Sequence, residues 1–227
     1  MKLLYLALDA FTLLGPLALS FDKKVRYVTH WKTVLLSTII IAIPFLIWDF
    51  YFTEHGFWGF NPSYLTGIYL GNLPLEEVLF FVVVPFACTF IYECCRYYFR
   101  NRTFTTLDKW LKLSIPVYAI LLSILSQQTG WYSISVIVSS GLVLFWWLRT
   151  PRLRFVGISF LISLFPFLLV NGVLTGATTE APVVWYNELQ KVPFRLFTIP
   201  MEDVLYSFTL IVSVILLHEI LQKKRSL

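Results

Sequence analysis

Glu76-Glu77, preceded by Pro74-Leu75, and Glu202-Asp203, preceded by Pro200-Met201, each open a long apolar run and together hold four of the thirteen acidic residues. Carboxylates at the mouth of a membrane segment are costly to desolvate, so two such pairs at matching places point to use. Crowding carboxyls in a poorly hydrated pocket raises the pKa of at least one, and where this outweighs the helix dipole, which favours the anion, that group is neutral. A neutral carboxylic acid then donates a proton, and a neighbouring carboxylate accepts one. Helix capping would explain a single copy, because proline suits the first turn and acids there complement the helix dipole. It does not explain two pairs with no basic partner close in sequence.

The elements that must position these acids are membrane helices. Of 227 residues, 58% are hydrophobic, 18% aromatic and only 14% charged, and the mean hydropathy is +0.74. That leaves too little polar surface for a soluble globule. The net charge of +5 falls in short basic clusters between apolar runs, which is the pattern of membrane flanks and argues against nucleic acid. The fold class predicted is all-α and polytopic, with seven transmembrane helices near 3–20, 33–52, 74–93, 110–126, 131–148, 155–172 and 200–221. Continuous rather than alternating apolar runs favour helices over a barrel. The first segment reads as a retained helix and not a signal peptide, since Asp9 interrupts its long apolar stretch.

Fifteen Lys and Arg, Arg152, Lys224 and Arg225 among them, fall on one side of this topology, and only Lys2, Lys191 and Arg195 on the other. Basic loops stay in the cytoplasm, so the expected location is the inner cell membrane, amino terminus outside and carboxyl terminus inside. Both acidic pairs then sit at the outer ends of their helices. Glu202 precedes Lys223 by 21 residues, about 30 Å of helix, which puts it at the outer margin of the hydrocarbon.

The chain repeats. Pro44-Phe45-Leu46-Ile47-Trp48-Asp49 resembles Pro166-Phe167-Leu168-Leu169-Val170-Asn171 at an offset of 122, and the acidic motifs match at 126. We expect two three-helix units, 1–100 (helices 1–3) and 131–227 (helices 5–7), joined by helix 4 within 101–130. An odd connector inserts both repeats in the same direction, related by an axis along the membrane normal. The longest outer loops, 53–73 and 173–199, hold Trp58, Tyr64, Tyr69, Trp185 and Tyr186 and should cover the acids.

Helical spacing places Glu202 with Tyr206, Thr209 and Ser213 on one polar stripe, so Glu202 and its counterpart Glu76 are expected to face the bundle. Glu77 and Asp203 would turn toward the neighbouring repeat or the headgroups. Cys88, Cys94 and Cys95 have no metal or disulfide spacing. The histidines, His30, His55 and His218, are expected to lie far apart, so no metal site and no cofactor are expected.

The doubled Pro-x-Glu-Glu/Asp motif, the Trp48-Asp49 ending of helix 2 and the two-half plan resemble the membrane-integral lycopene cyclases, in their fused form. The resemblance implies lycopene or a related linear carotenoid as partner and ring closure at its ends without redox change, the products being γ- or β-carotene. It implies Glu76, Glu77, Glu202 and Asp203 as the acid/base set. Pro74 and Pro200 would support them. A cationic intermediate would meet the aromatic faces of Trp48, Phe80, Phe81, Trp185 and Tyr206. Asp49 and Asn171 would orient the acids or a water, and Arg195 would sit near one carboxylate or a headgroup. A homo-oligomer is possible. The rival readings are a small proton-coupled transporter and a non-catalytic carotenoid-binding membrane protein. A rhodopsin is disfavoured because helix 7 has no lysine before Lys223, and an iron oxygenase because clustered histidines are lacking.

Overall fold

The computed structural model describes residues 2–126, 130–150 and 153–225. Arg152 and the side chains of Lys224 and Arg225, counted above among the basic flanks, lie outside the described residues. Seven helices dominate: α1 (Leu4–Leu19), α2 (Trp31–Glu54), α3 (Leu75–Tyr98), α4 (Thr105–Leu125), α5 (Trp131–Leu148), α6 (Val156–Leu174) and α7 (Glu202–Arg225). All seven expected segments are helical. Five of them (α2, α3, α5, α6, α7) are long and apolar enough to cross a bilayer. At 16 residues α1 is shorter, and α4 carries Asp108, Lys109 and Lys112 near its start. Large apolar side chains such as Phe11, Ile47, Ile124, Leu142 and Phe165 are exposed around the flanks. A surface so apolar and so extensive suits lipid, and marks a membrane protein.

The centre of the bundle is α3 and α7, whose apolar spans are 67% and 72% buried. Around them the contacts come in matching sets: α1 packs on α3 as α5 packs on α7, and α2 on α7 as α6 on α3. Connector α4 belongs to the second half, where Asp108 accepts a hydrogen bond from the Gly157 N–H (3.2 Å) and Tyr118 donates to the Met201 carbonyl (2.9 Å).

The loops repeat more faithfully than the helices. Their strands are β1 (Trp58–Phe60), β2 (Tyr69–Leu70), β3 (Leu73–Pro74), β4 (Val184–Tyr186), β5 (Arg195–Leu196) and β6 (Ile199–Pro200). The β2–β3 hairpin pairs Tyr69 with Pro74, and the β5–β6 hairpin pairs Arg195 with Pro200, 126 residues on. Asn61 caps one short helical turn and Asn187 the other, again 126 apart. Most telling is the antiparallel pairing of β1 with β4, centred on Gly59 and Trp185. These two residues occupy the same place in their respective halves, so a pseudo-two-fold axis passes between them.

Gly59 is where that pairing is tightest. A Cβ there would lie 2.4 Å from the Trp185 ring, closer than any real contact. Gly59→Val is therefore expected to destabilise the protein by about 1–3 kcal/mol through overpacking, whereas Gly141→Ala, whose Cβ meets nothing within 4 Å, should not. Thermal unfolding of the two variants in detergent checks this.

Far from the acids, the opposite end of the bundle is tied by a network that sequence reasoning did not anticipate. Instead of lying apart, His30 and His218 have ring centroids 6.1 Å from each other. His218 is fully buried and bonded to Glu93 at 2.9 Å. Arg96 donates to Glu93, Glu219 and Gln222 at 2.8–3.0 Å. The histidines are 188 residues apart in sequence, and only the return of α7 beside α2 and α3 unites them. Cys88, Cys94 and Cys95 are free thiols, with Cys88 and Cys95 buried.

Candidate functional site

Each hairpin delivers the chain to the first turn of a central helix, and there the paired acids diverge. Glu76 is fully buried and its Oε1 accepts the Thr66 N–H at 2.6 Å. Glu202, also fully buried, accepts the Val192 N–H at 2.6 Å and the Ser133 hydroxyl at 2.6 Å. Thr66 and Val192 are equivalent positions of the two loops. The leading acid of each pair therefore holds its own loop down over the helix.

The second acid of each pair turns into the bundle. Glu77 and Asp203 line one small cavity of about 40 Å³, whose walls include Trp58, Phe80, Phe167 and Tyr206. Glu76 and Glu202 are buried as expected but do not line this cavity, whereas Glu77 and Asp203, expected to turn toward the neighbouring repeat or the headgroups, share it across the two halves. The four-residue stripe linked Glu202 to Tyr206, but it is the three-residue neighbour that shares Tyr206's face. Asp203 with Tyr206, and Glu77 with Phe80, are i,i+3 pairs at equivalent sites.

Hydroxyl and amide donors hold these two carboxyls. Tyr5 donates to Glu77 Oε2 at 2.6 Å. Tyr132 donates to Asp203 Oδ1, Asn171 Nδ2 to Oδ2 at 2.6 Å, and Tyr186 to Oδ2 at 3.2 Å. Tyr5 and Tyr132 come from the corresponding helices α1 and α5. Burial first, and then the charge of Asp203, raise the Tyr186 phenol well above the usual tyrosine value, so it stays a donor. Two more acids are buried at this end: Asp49, which accepts the Trp58 indole N–H, and Asp9, within electrostatic reach of Glu77 and Glu76. Among the described residues, no cation donates to Glu76, Glu77, Glu202, Asp203 or Asp49.

Other expected site residues fall into two groups. Phe80, Asn171 and Tyr206 line the cavity with the acids. Trp48, Asp49 and Phe81 do not: Trp48 packs tilted against Tyr206 with ring centroids 5.2 Å apart, Asp49 is a buried anchor for Trp58, and Phe81 packs on Phe45 at 5.8 Å. Trp185 is part-exposed above Gly59. Pro74 and Pro200 end the hairpins. Arg195 touches neither acidic pair; it donates to the Thr198 carbonyl and to Glu188, both at 2.6 Å, and lies 6.0 Å from the Tyr186 ring centroid. Burial raises the Glu188 carboxyl, but Lys191 and Arg195 outweigh it and hold Glu188 below the usual glutamate range.

Sequence reasoning missed Tyr5, Asp9, Tyr132 and Ser133. The repeat carried a signal for the tyrosines, since Tyr5 and Tyr132 begin equivalent helices. Trp58 and Tyr186 were expected over the acids, and there they are. Among the described residues, a donor set of the kind that could hold a cation lies elsewhere, in His30, Glu93 and His218, whose ligand atoms lie within 4.8 Å of one another. The Arg96 guanidinium, 3.0 Å from Glu93 Oε1, the oxygen that also meets His218, places positive charge against this set and makes it a structural tie.

Comparison with known proteins agrees with this two-fold plan. A family model described as lycopene cyclase matches residues 2–95 and again 128–221, the same 126-residue offset. The bifunctional lycopene cyclase/phytoene synthase of Aspergillus oryzae is 25% identical over 113 residues, which cover 50% of this chain and 17% of that protein. No solved structure matches.

Proposed function

The chain belongs to the lycopene cyclase family, and on that premise we propose that it closes β-type rings at the linear ends of lycopene, with Glu77 and Asp203 as the proton-transferring pair. One carboxylic acid protonates the terminal double bond, the internal alkene attacks the resulting cation to close a six-membered ring, and loss of a ring proton to the partner carboxylate leaves the β end group. One proton enters and one leaves, so the reaction is an isomerisation that needs no oxidant. The observation that carries this reading is the meeting of two acids, one from each half, in a single aromatic-walled cavity.

Each neighbour has a part. Tyr5, Tyr132, Tyr186 and Asn171 orient the carboxyls and leave donor and acceptor poised for exchange. The faces of Trp58, Phe80, Phe167 and Tyr206 stabilise positive charge developing between them. Glu76 and Glu202 anchor the loops that keep water out. All seven helices cross the inner membrane, amino terminus outside, with the acids at the outer margin of the hydrocarbon, where the end of a membrane-spanning carotenoid lies.

Expression of the full chain in cells that accumulate only lycopene is the direct test. Monocyclic or bicyclic pigment is the expected outcome; unchanged lycopene with the protein present in the membrane refutes the proposal.

A further inference from the structure

A larger cavity lies beside the acid cavity. It measures about 370 Å³, is walled by α1, α3 and α6, and is lined by apolar groups such as Gly15, Val84, Ala87, Leu169 and Val170. Phe80 and Phe167 belong to both cavities, with ring centroids 6.4 Å apart, and so form the partition between them. Leu169, at the rim, and nearby Phe11 are exposed, so the groove opens on the lipid-facing flank and not on water. Along α3 its lining runs from Phe80 to Ile91, about 16 Å at 1.5 Å per residue.

We propose that this groove is the berth of the polyene chain, entered sideways from the hydrocarbon, and that Phe80 and Phe167 are the gate through which one end group reaches Glu77 and Asp203. The inference rests on the cyclase reading. At about 40 Å³ the acid cavity holds little more than water, which needs roughly 10–15 Å³ by the same measure. A branched end group fits only when the partition swings aside. A forty-carbon polyene is about as long as the hydrocarbon core is thick, roughly 30 Å, so the groove takes about half of it and the remainder stays in lipid. The two ends are therefore processed in separate visits.

The repeat supplies an internal control. Gly141, the counterpart of Gly15 at 126 residues' distance, faces a different cavity of about 240 Å³ between α4 and α5, which has no lining residue in common with the acid cavity. In the second half the counterpart of Phe80 is Tyr206, and Phe45 and Trp48 pack on it at 5.3 and 5.2 Å. One side is open and the other is filled. An added Cβ at Gly15 or Gly141 meets nothing within 4 Å, so both positions accept a larger side chain without backbone strain.

The experiment measures the ratio of cyclised to linear pigment in lycopene-accumulating cells, at equal amounts of membrane protein. Gly15→Trp and, from α6, Leu169→Trp are expected to lower the ratio about tenfold or more by obstructing the approach. Gly141→Trp should stay near wild type. Wild-type ratios from both Gly15→Trp and Leu169→Trp overturn the groove assignment while leaving the cyclase reading intact. An equal loss from Gly141→Trp overturns it as well, because the effect would then be general packing. Absence of rings from the wild-type chain removes the cyclase reading itself and this inference with it.

Discussion

Glu77→Gln and Asp203→Asn each lower ring formation by about 10²- to 10⁴-fold, the range expected when a positioned acid or base is removed, while the protein still accumulates in the membrane. Both substitutions keep the size of the side chain and its ability to accept a hydrogen bond from Tyr5 or from Asn171. What they remove is the exchangeable proton. The contrast with the leading acids is the sharp part of the test. Glu76→Gln and Glu202→Gln leave an acceptor for the Thr66 and Val192 N–H groups but put an amide nitrogen in place of one carboxyl oxygen. They are expected to cost about 1 kcal/mol in stability and much less in turnover. Pigment extracted from membranes carrying each of the four variants decides between the pairs. Equal losses at all four positions would mean that the acids act as one set without the division of labour drawn here, and normal ring formation by Glu77→Gln and Asp203→Asn would remove them from the chemistry.

Glu93→Leu produces the largest expected loss of stability, about 3 kcal/mol, since it leaves the buried His218 and the Arg96 guanidinium without their shared carboxylate. Glu93→Gln, which retains an acceptor, should fall between this variant and wild type. The site of substitution lies near the end of α3 remote from Glu77, so the effect should appear in thermal unfolding in detergent and not in the products made by the protein that stays folded. Unfolding of Glu93→Leu at the wild-type temperature would show that the network holds nothing together.

Much of the architecture was legible because its signals are long. Runs of about 20 apolar residues announce helices, and an acidic motif repeated at 126 residues announces two halves. The site was legible in composition but not in orientation. Two adjacent acids on a helix differ by about 100°, and a polar stripe through Glu202, Tyr206 and Thr209 seemed to choose between them. The backbone N–H groups of the loops decided otherwise, by claiming Glu76 and Glu202 as anchors. Nothing local to Glu76 announces that Thr66 will bend back ten residues to meet it. The histidines illustrate the same limit: His30 and His218 are neighbours only through helix packing, a relation that pattern along the chain does not carry.

The pairing of β1 with β4 bears on how the protein is made. Trp58, Gly59 and Phe60 leave the ribosome more than a hundred residues before Val184, Trp185 and Tyr186, so the first half is threaded into the bilayer with a bare strand edge awaiting its mate. Each half pins its own loop through its leading acid, but the strand pair that joins the two loops closes only after both halves have been made.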